Sequence, residues 1–263
     1  MIPELRFTPF ASLFKKEIRR FVRVIAQTIF IPLINSTLYL LIFGVSLGQN
    51  IQVAQHASYL SFLIPGLVMM GVLNNAFQNS SSSIGTSKFH GDLEDLRMVP
   101  LRPWQILWAL ALGGLIRGIL VGAITFSVGE FFYWYTEKTL LSVTHPILLF
   151  VFLCLGGLSF GQLGIIVAFR AKNFDQMAAI GGFVLLPLMY LGGVFFPLGN
   201  LHPFWRTVSQ LNPMIYFING VRYSILGVAD IPWAFCLGIS ALTLGILTVI
   251  ALHSIRHGFF RRW

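Results

Sequence analysis

Charged residues are scarce in this chain. Asp, Glu, Lys and Arg make up 10% of its 263 residues, and only nine residues are acidic, whereas soluble globular proteins carry roughly 25% charged residues. Hydrophobic residues reach 56% and the mean hydropathy is +0.78. They form runs of about twenty residues, the length that a helix needs to cross a bilayer. The composition excludes a soluble domain and predicts an all-α integral membrane protein.

Cysteine and catalytic motifs are also nearly absent. Cys154 and Cys236 each lie inside an apolar run, which is more typical of small packing residues than of a disulfide or a metal pair. The sequence has no G-x-x-x-x-G-K-S/T phosphate loop, no H-E-x-x-H zinc motif and no acidic pair inside an apolar run. We therefore expect no enzyme activity and no cofactor or metal site in this chain.

Basic residues outnumber acidic ones, and the formal net charge is +9. They cluster at the ends of apolar runs instead of alternating with aromatic residues, so we expect no nucleic-acid partner. With six spans, most Lys and Arg fall on one side, which the positive-inside rule makes cytoplasmic. We expect no cleavable signal, because residues 15–23 are too basic and the first apolar run is too long. The sequence predicts a multi-pass protein of a bacterial cytoplasmic (inner) membrane with both termini cytoplasmic.

Six apolar runs predict six transmembrane helices. They cover approximately residues 24–47, 58–86, 104–131, 146–169, 176–196 and 233–253. Between the fifth and sixth runs, prolines divide the chain into pieces too short to cross a bilayer. We expect two short helices there, near residues 203–210 and 213–226, which dip into the outer leaflet as a re-entrant cap.

Residues 1–23 predict an amphipathic interfacial helix, ahead of a single six-helix domain of residues 24–263. Its apolar residues recur at helical spacing and are Phe10, Leu13, Phe14, Ile18 and Phe21. Its basic face would contact anionic headgroups of the inner leaflet and holds Lys15, Lys16, Arg19, Arg20 and Arg23. The same residues also fit the positive-inside flank of the first span, and the two interpretations are compatible.

A short acidic segment interrupts the apolar pattern between the second and third spans. Residues 88–103 contain Asp92, Glu94 and Asp95, so the chain leaves the bilayer there and then returns. The spacing of Leu93 and Leu96 suits one short amphipathic helix. One interpretation is an ordinary solvated loop, and the other is a lever at the membrane surface that a partner protein grips. The spacing alone does not choose between them.

Arg117 is the one strongly charged residue deep inside a predicted span. An intramembrane Arg usually faces the bundle interior or a water-filled cavity. It either binds an anionic headgroup or phosphate, or braces a neighbouring helix through its carbonyls. The second span turns polar in its last third, and this end should face other helices or a wet cleft. The polar residues begin with Asn74, Asn75, Gln78 and Asn79.

Aromatic residues are frequent near the end of the fifth span and in the segment that follows it. Most of them fit an interfacial aromatic belt. Phe195 and Phe196 lie where the fifth span breaks, and for these two we favour a gate over a belt.

Two passages of the chain resemble the permease subunits of type-2 ABC exporters, such as the nodulation-factor, daunorubicin and polysaccharide export permeases. Gly91 to Pro103 is similar to the coupling-helix segment of that family. Leu191 to Pro197, continued by Leu211 to Tyr216 and Gly220 to Tyr223, is similar to its outer-leaflet signature before the last helix. The resemblance in layout extends over essentially the whole chain.

This resemblance implies a type V ABC exporter-like half-transporter that forms a homodimer. It would dock two copies of a separate ATPase subunit, which binds ATP and Mg, and move an amphiphile out of the inner leaflet. The cargo would be a lipid, glycolipid, lipid-linked saccharide or hydrophobic drug. Coupling to the ATPase would fall on Gly91, Asp92, Leu93, Glu94, Asp95, Leu96 and Arg97. The substrate path or gate would include Arg117, Phe195, Phe196, Asn212 and Tyr216.

Two other functions remain open at this stage. One is a membrane channel or scaffold without a motor, and the other is an intramembrane lipid-modifying enzyme. The missing acid/base pair argues against the enzyme.

Overall fold

The computed structural model describes residues 8–47, 58–91 and 101–258, and all regular structure within these ranges is helical. The α-helices are α1 (Thr8–Arg23), α2 (Ile25–Tyr39), α3 (Tyr59–Phe89), α4 (Pro103–Glu137), α5 (Pro146–Arg170), α6 (Phe174–Ile180), α7 (Leu186–Leu191), α8 (Pro203–Leu211), α9 (Met214–Leu226) and α10 (Trp233–Gly258). A π-helical stretch, Leu40–Leu47, continues α2, and another, Gly181–Leu185, joins α6 to α7.

Six described helical segments are long and apolar enough to cross a membrane. They are Ile25–Ser46, Tyr59–Phe89, Pro103–Glu137, Pro146–Arg170, Phe174–Leu191 and Trp233–His257. The predicted all-α fold with six spans is confirmed. The third segment is longer than expected, because helical structure continues past Phe131 until Lys138 ends it in the left-handed conformation (φ 59°).

The central helix of the bundle is α3. It packs against α4, α5 and α9, and 83% of its most apolar window is buried. Glycines allow these helices to approach closely. A Cβ on Gly118 of α4 would lie 2.8 Å from the Val72 carbonyl oxygen, and one on Gly164 of α5 would lie 2.5 Å from that of Phe77. One face of α3 is therefore in close contact with α4 and α5.

Three segments form the periphery of the bundle. In the most apolar 18 residues of each segment, the buried share is 28% in the first segment and 17% in both the fifth and the sixth. Large apolar side chains such as Phe30 and Phe183 are exposed there. An apolar face of this size needs lipid or another protein chain against it.

The segment between the fifth and sixth spans forms two short helices close to the predicted positions. α8 begins with Pro203 at its first turn and exposes Phe204 and Trp205, whereas α9 is almost wholly buried. A Cβ on Gly220 of α9 would lie 2.3 Å from the Phe152 ring, so only glycine fits at this position. That these helices dip into the outer leaflet stays a prediction.

Candidate functional site

The polar third of α3 lines a cleft between α2, α4 and α7. Its volume is about 290 Å³. Most of its polar lining consists of amides and hydroxyls, in agreement with the wet cleft predicted for this end of the second span. The polar lining residues are Gln27, Asn35, Ser36, Tyr39, Asn74, Asn75, Gln78, Arg117 and Thr125.

A second cavity adjoins the cleft on the side of α6. Its volume is about 620 Å³, and Ser81, Ser82 and Met177 contribute to its lining. The two cavities have lining residues in common, which are Asn74, Gln78, Arg117 and Leu186. Together they form one polar recess in an otherwise apolar bundle.

Arg117 lies where the two cavities meet. Its Nε atom is buried and has no hydrogen-bond partner among the residues that the structure describes. Among the described residues that line the two cavities there is no Asp or Glu. A buried cation without a carboxylate partner is costly in a bilayer. The recess is therefore electropositive.

The helix α1 is attached to the polar end of α3 by a buried carboxylate. Glu17 has an exposed fraction of 0%. Its Oε1 accepts a hydrogen bond from Ser83 Oγ at 2.6 Å, and its Oε2 lies 3.2 Å from Arg20 Nη2. Arg20 also donates to Ser82 Oγ at 2.8 Å and to the Asn79 carbonyl oxygen. This network joins α1 to three residues within one stretch of α3.

The placement of Arg20 differs from the expectation for the basic face of α1. Lys15, Lys16 and Arg19 are exposed, but Arg20 is half-buried and directed toward α3, because Glu17 and two α3 oxygens bind its guanidinium. Sequence reasoning did not identify Glu17. The available signal was its position four residues after Leu13 and four before Phe21, on the apolar face of the helix.

The contact between α1 and α4 places Arg117 relative to α1. A Cβ on Gly113 of α4 would lie 2.8 Å from Glu17 Cβ, so α1 packs directly against this turn of α4. Arg117 follows Gly113 by four residues, about 6 Å along the helix at 1.5 Å per residue. Arg117 therefore lies about one helical turn beyond the contact between α1 and α4.

An aromatic cluster lies at one end of the cleft. Tyr39 lines this end, and Gln27 lines the other. The buried Phe195 ring has its centroid 5.7 Å from that of Tyr39, 4.9 Å from Phe43 and 5.3 Å from Tyr190. The Phe195 carbonyl oxygen accepts a hydrogen bond from the Tyr59 hydroxyl at 2.8 Å. Since Tyr39 also lines the cleft, this cluster closes that end of it. Phe196 lies outside the cluster and is 49% exposed.

The base of the acidic segment is attached to two other helices. Lys88 Nζ donates to the carbonyl oxygens of Phe169 at 3.0 Å and Ala171 at 2.6 Å, at the C-terminal end of α5. The Phe89 ring meets that of Phe174 on α6 edge to face, with centroids 4.6 Å apart. Gly91 is exposed with φ +88°. The other residues predicted for coupling lie outside the described residues and are Asp92, Leu93, Glu94, Asp95, Leu96 and Arg97.

Residues 8–226 match the ABC-2 type transporter family. The chain belongs to this permease family. It is 36% identical over 247 residues to the inner membrane transport permease YadH of Escherichia coli K12, covering 94% of each chain. It is 26% identical over 218 residues to Nodulation protein J of Rhizobium leguminosarum bv. trifolii, covering 80% of this chain and 78% of that protein.

The predicted family is thus confirmed, and this chain is a permease subunit of an ABC transporter. Permeases of this family are transport components that work with an ATP-binding subunit. The similarity to YadH and the six apolar segments together support a multi-pass protein of the inner membrane.

Two residues predicted for the substrate path of the permease lie close together in the chain, Asn212 in the turn between α8 and α9 and Tyr216 in the first turn of α9. Asn212 Nδ2 donates to the Leu188 carbonyl oxygen at 2.6 Å, and its Oδ1 accepts from the Met214 backbone N–H at 3.0 Å. The Tyr216 hydroxyl donates to the Gln210 carbonyl oxygen at 2.6 Å. Neither Asn212 nor Tyr216 is among the described lining residues of the cleft. Asn212 connects the turn to α7, and Tyr216 connects α9 to α8.

Arg222 of the permease is a buried cation on α9. It is 2% exposed, and its guanidinium carbon lies 3.7 Å from the centroid of the Phe62 ring. Its Nη2 donates to the Gly193 carbonyl oxygen at 2.8 Å, where Gly193 has φ +79°. Burial lowers the pKa of the Arg222 guanidinium to about 10, while Asp230 and Tyr59 act in the opposite direction. Arg222 therefore stays charged at neutral pH and binds the chain that follows α7 to α9 and α3.

Proposed function

We propose that this permease exports an amphiphile from the inner leaflet, with ATP hydrolysis supplied by a separate subunit. The observation that carries the proposal is the polar recess around Arg117 in an apolar bundle. A polar headgroup fits such a recess, while an apolar chain would favour the exposed apolar faces of α2 and α7. A lipid, glycolipid, lipid-linked saccharide or hydrophobic drug has this two-part chemistry.

The acidic segment is the proposed contact with the ATP-binding subunit. Gly91 to Arg97 would lie on the cytoplasmic face, as both termini would. Because Lys88 and Phe89 contact α5 and α6, force applied to this segment reaches those helices as well as α3. The ATP-binding subunit shifts the permease between two states only if it contacts the segment differently in each.

The aromatic cluster is the proposed gate of the path. Phe195 contacts Tyr39, Phe43 and Tyr190 at the end of the cleft that Tyr39 lines. Their rings come from α2, from α7 and from the chain that follows α7. A relative movement of α2 and α7 therefore separates the rings and opens this end of the cleft.

The proposed assembly is a homodimer of permeases with two ATP-binding subunits, which hold ATP and Mg. The first and fifth spans, which flank the cleft, leave most of their apolar surface uncovered. A second copy of the permease placed there would enclose the two clefts between the subunits. The homodimer is testable by cross-linking between single cysteines placed at Phe30 and Phe183, both exposed.

The triple variant Asp92→Ala, Glu94→Ala, Asp95→Ala tests the proposal. The permease and its ATP-binding subunit are reconstituted in proteoliposomes, and both transfer of a fluorescent phospholipid and ATP hydrolysis are measured. We expect the triple variant to insert normally and to lose ATP-dependent transfer, because its contact with the subunit is weakened. Glu137→Ala, at an exposed acidic residue of α4, is the matched control. Full transfer by the triple variant would refute the role of this segment.

The same assay separates the alternatives. A channel or scaffold without a motor would move the phospholipid equally well without ATP. An intramembrane lipid-modifying enzyme would release a chemically altered lipid in the absence of ATP, which thin-layer chromatography detects.

A further inference from the structure

We propose that the recess around Arg117 binds the anionic headgroup of an inner-leaflet amphiphile, through a phosphate or carboxylate group. Arg117 supplies the positive charge, and the side-chain amides of Asn74 and Gln78 supply further hydrogen-bond donors. The assignment rests on the proposed export function and narrows its substrate from amphiphiles in general to anionic ones.

The charges around the recess are unbalanced. Within residues 8–47, 58–91 and 101–258, no carboxylate lines it. The acidic residue Glu17, on the adjacent helix α1, already binds Arg20 and Ser83. An anion entering the recess therefore gains attraction from Arg117 without displacing a protein carboxylate.

The hydrogen-bonding groups of the recess are suited to oxygen anions. The guanidinium group of Arg is a planar fork of donors that matches phosphate and carboxylate. Arg117 lines both cavities. Its Nε atom is itself buried and without a partner in the described part of the chain, so a ligand in the recess would bind the terminal nitrogens of the guanidinium. Asn74 Oδ1 accepts from Gln78 Nε2 at 3.0 Å. Since each amide carries two N–H donors, this pair retains donors beyond the one it uses.

The depth and the opening of the recess fit a lipid headgroup. An amphipathic helix with exposed Lys15, Lys16 and Arg19 lies at headgroup level, and Arg117 is about one helical turn beyond it. Ile31 of α2 and Leu186 of α7 both line the cleft and are 48% and 41% exposed. They mark a lateral opening with apolar edges, where acyl chains stay in lipid while the headgroup enters.

Photolabelling of the full-length permease in phosphatidylcholine nanodiscs tests this assignment. One sample contains a photoactivatable phosphatidic acid and the other the matching diacylglycerol, which has the same chains without the phosphate. Labelling of the cleft-lining parts of α3 and α4 is quantified by mass spectrometry. We expect at least about tenfold more labelling by the phosphatidic acid, the size of one charge-assisted hydrogen bond.

Four variants distinguish a specific effect of the Arg117 charge from a general attraction of anionic lipids to a basic protein. Arg117→Gln should bring the two lipids to equal labelling of the cleft, and Arg117→Lys should retain part of the preference. Arg170→Gln removes an exposed Arg at the end of α5 and should leave the preference unchanged. Asn74→Asp keeps Arg117 but adds a carboxylate to the recess, and it should also abolish the preference. Thermal unfolding of each variant shows whether it is folded.

Two results would overturn the assignment. The first is equal labelling of the wild type by both lipids, or an unchanged preference in folded Arg117→Gln and Asn74→Asp. The second is complete displacement of the label by millimolar inorganic phosphate, which would assign the recess to a soluble anion. Either result leaves the proposed function intact if ATP-dependent transfer of a neutral amphiphile is observed. A lipid preference without any ATP-dependent transfer supports the headgroup site and overturns the export function alone.

Discussion

Removal of the Glu17 carboxylate should detach α1 from the bundle. In Glu17→Ala the buried Ser83 hydroxyl loses its charged acceptor at 2.6 Å, and Arg20 loses its ion pair at 3.2 Å. A hydrogen bond to a charged group contributes about 1.5–3 kcal/mol. The ion pair adds about 1 kcal/mol at most, because the Arg20 side chain is 29% exposed and solvent screens it. We therefore expect the free energy of unfolding to fall by about 2–4 kcal/mol.

Reversible unfolding of the permease in mixed detergent micelles measures this loss. Glu137→Ala, at an exposed position, is the control and should change stability by less than about 0.5 kcal/mol. The double variant Glu17→Ala, Ser83→Ala should be about 1–2 kcal/mol more stable than the sum of the single losses predicts, because both remove the same hydrogen bond. A loss below about 0.5 kcal/mol for Glu17→Ala would show that the buried network does not hold α1 in place.

Three further variants test other contacts. Lys88→Met removes the ammonium group from the C-terminal carbonyls of α5 and should lower stability by about 1–3 kcal/mol in thermal unfolding. The control Lys172→Met, at an exposed position, should keep the stability of the wild type. A Lys88→Met variant that melts at the wild-type temperature would contradict the contact. Phe195→Ala removes the central ring of the aromatic cluster and should allow leakage of fluorescent phospholipid without ATP. The control Phe196→Ala should show no such leakage. Absence of leakage in Phe195→Ala would argue against the gate. Gly220→Ala overlaps an aromatic ring of α5 and should cost about 1–3 kcal/mol of stability, and a wild-type melting temperature would show that the ring moves freely.

The span layout was accessible from sequence because hydropathy and proline positions are local signals. Runs of apolar residues correspond to the six segments, and Pro203 and Pro213 correspond to the starts of α8 and α9. The end of α4 was misplaced by six residues, from 131 to 137, because a helix can extend beyond the bilayer and hydropathy reports only the apolar part.

The partners of the polar residues depend on the packing of distant segments, which a single sequence does not display. Lys88 binds a carbonyl 83 residues further along the chain, and Arg222 binds one 29 residues earlier. The polarity of α3 and the position of Arg117 indicated a wet recess. The choice between bracing a helix and binding a ligand depends on the groups around Arg117, which come from α2, α3 and α7. A single sequence does not show which of these groups are neighbours.

Phe195 and Phe196, the two gate candidates, also show what a single sequence leaves undetermined. Phe195 and Phe196 are adjacent and identical in chemistry, yet one is 3% and the other 49% exposed. The turn at Gly193, fixed by the bond from Arg222, decides which ring faces the cluster. Local sequence contains no signal for that choice.

Transfer of a fluorescent phosphatidic acid by the reconstituted permease with its ATP-binding subunit tests the central claim most directly. Transfer should require ATP and should fall to the background of empty liposomes when the ATP-binding subunit is omitted. Transfer at the same rate without ATP or without that subunit would contradict the account.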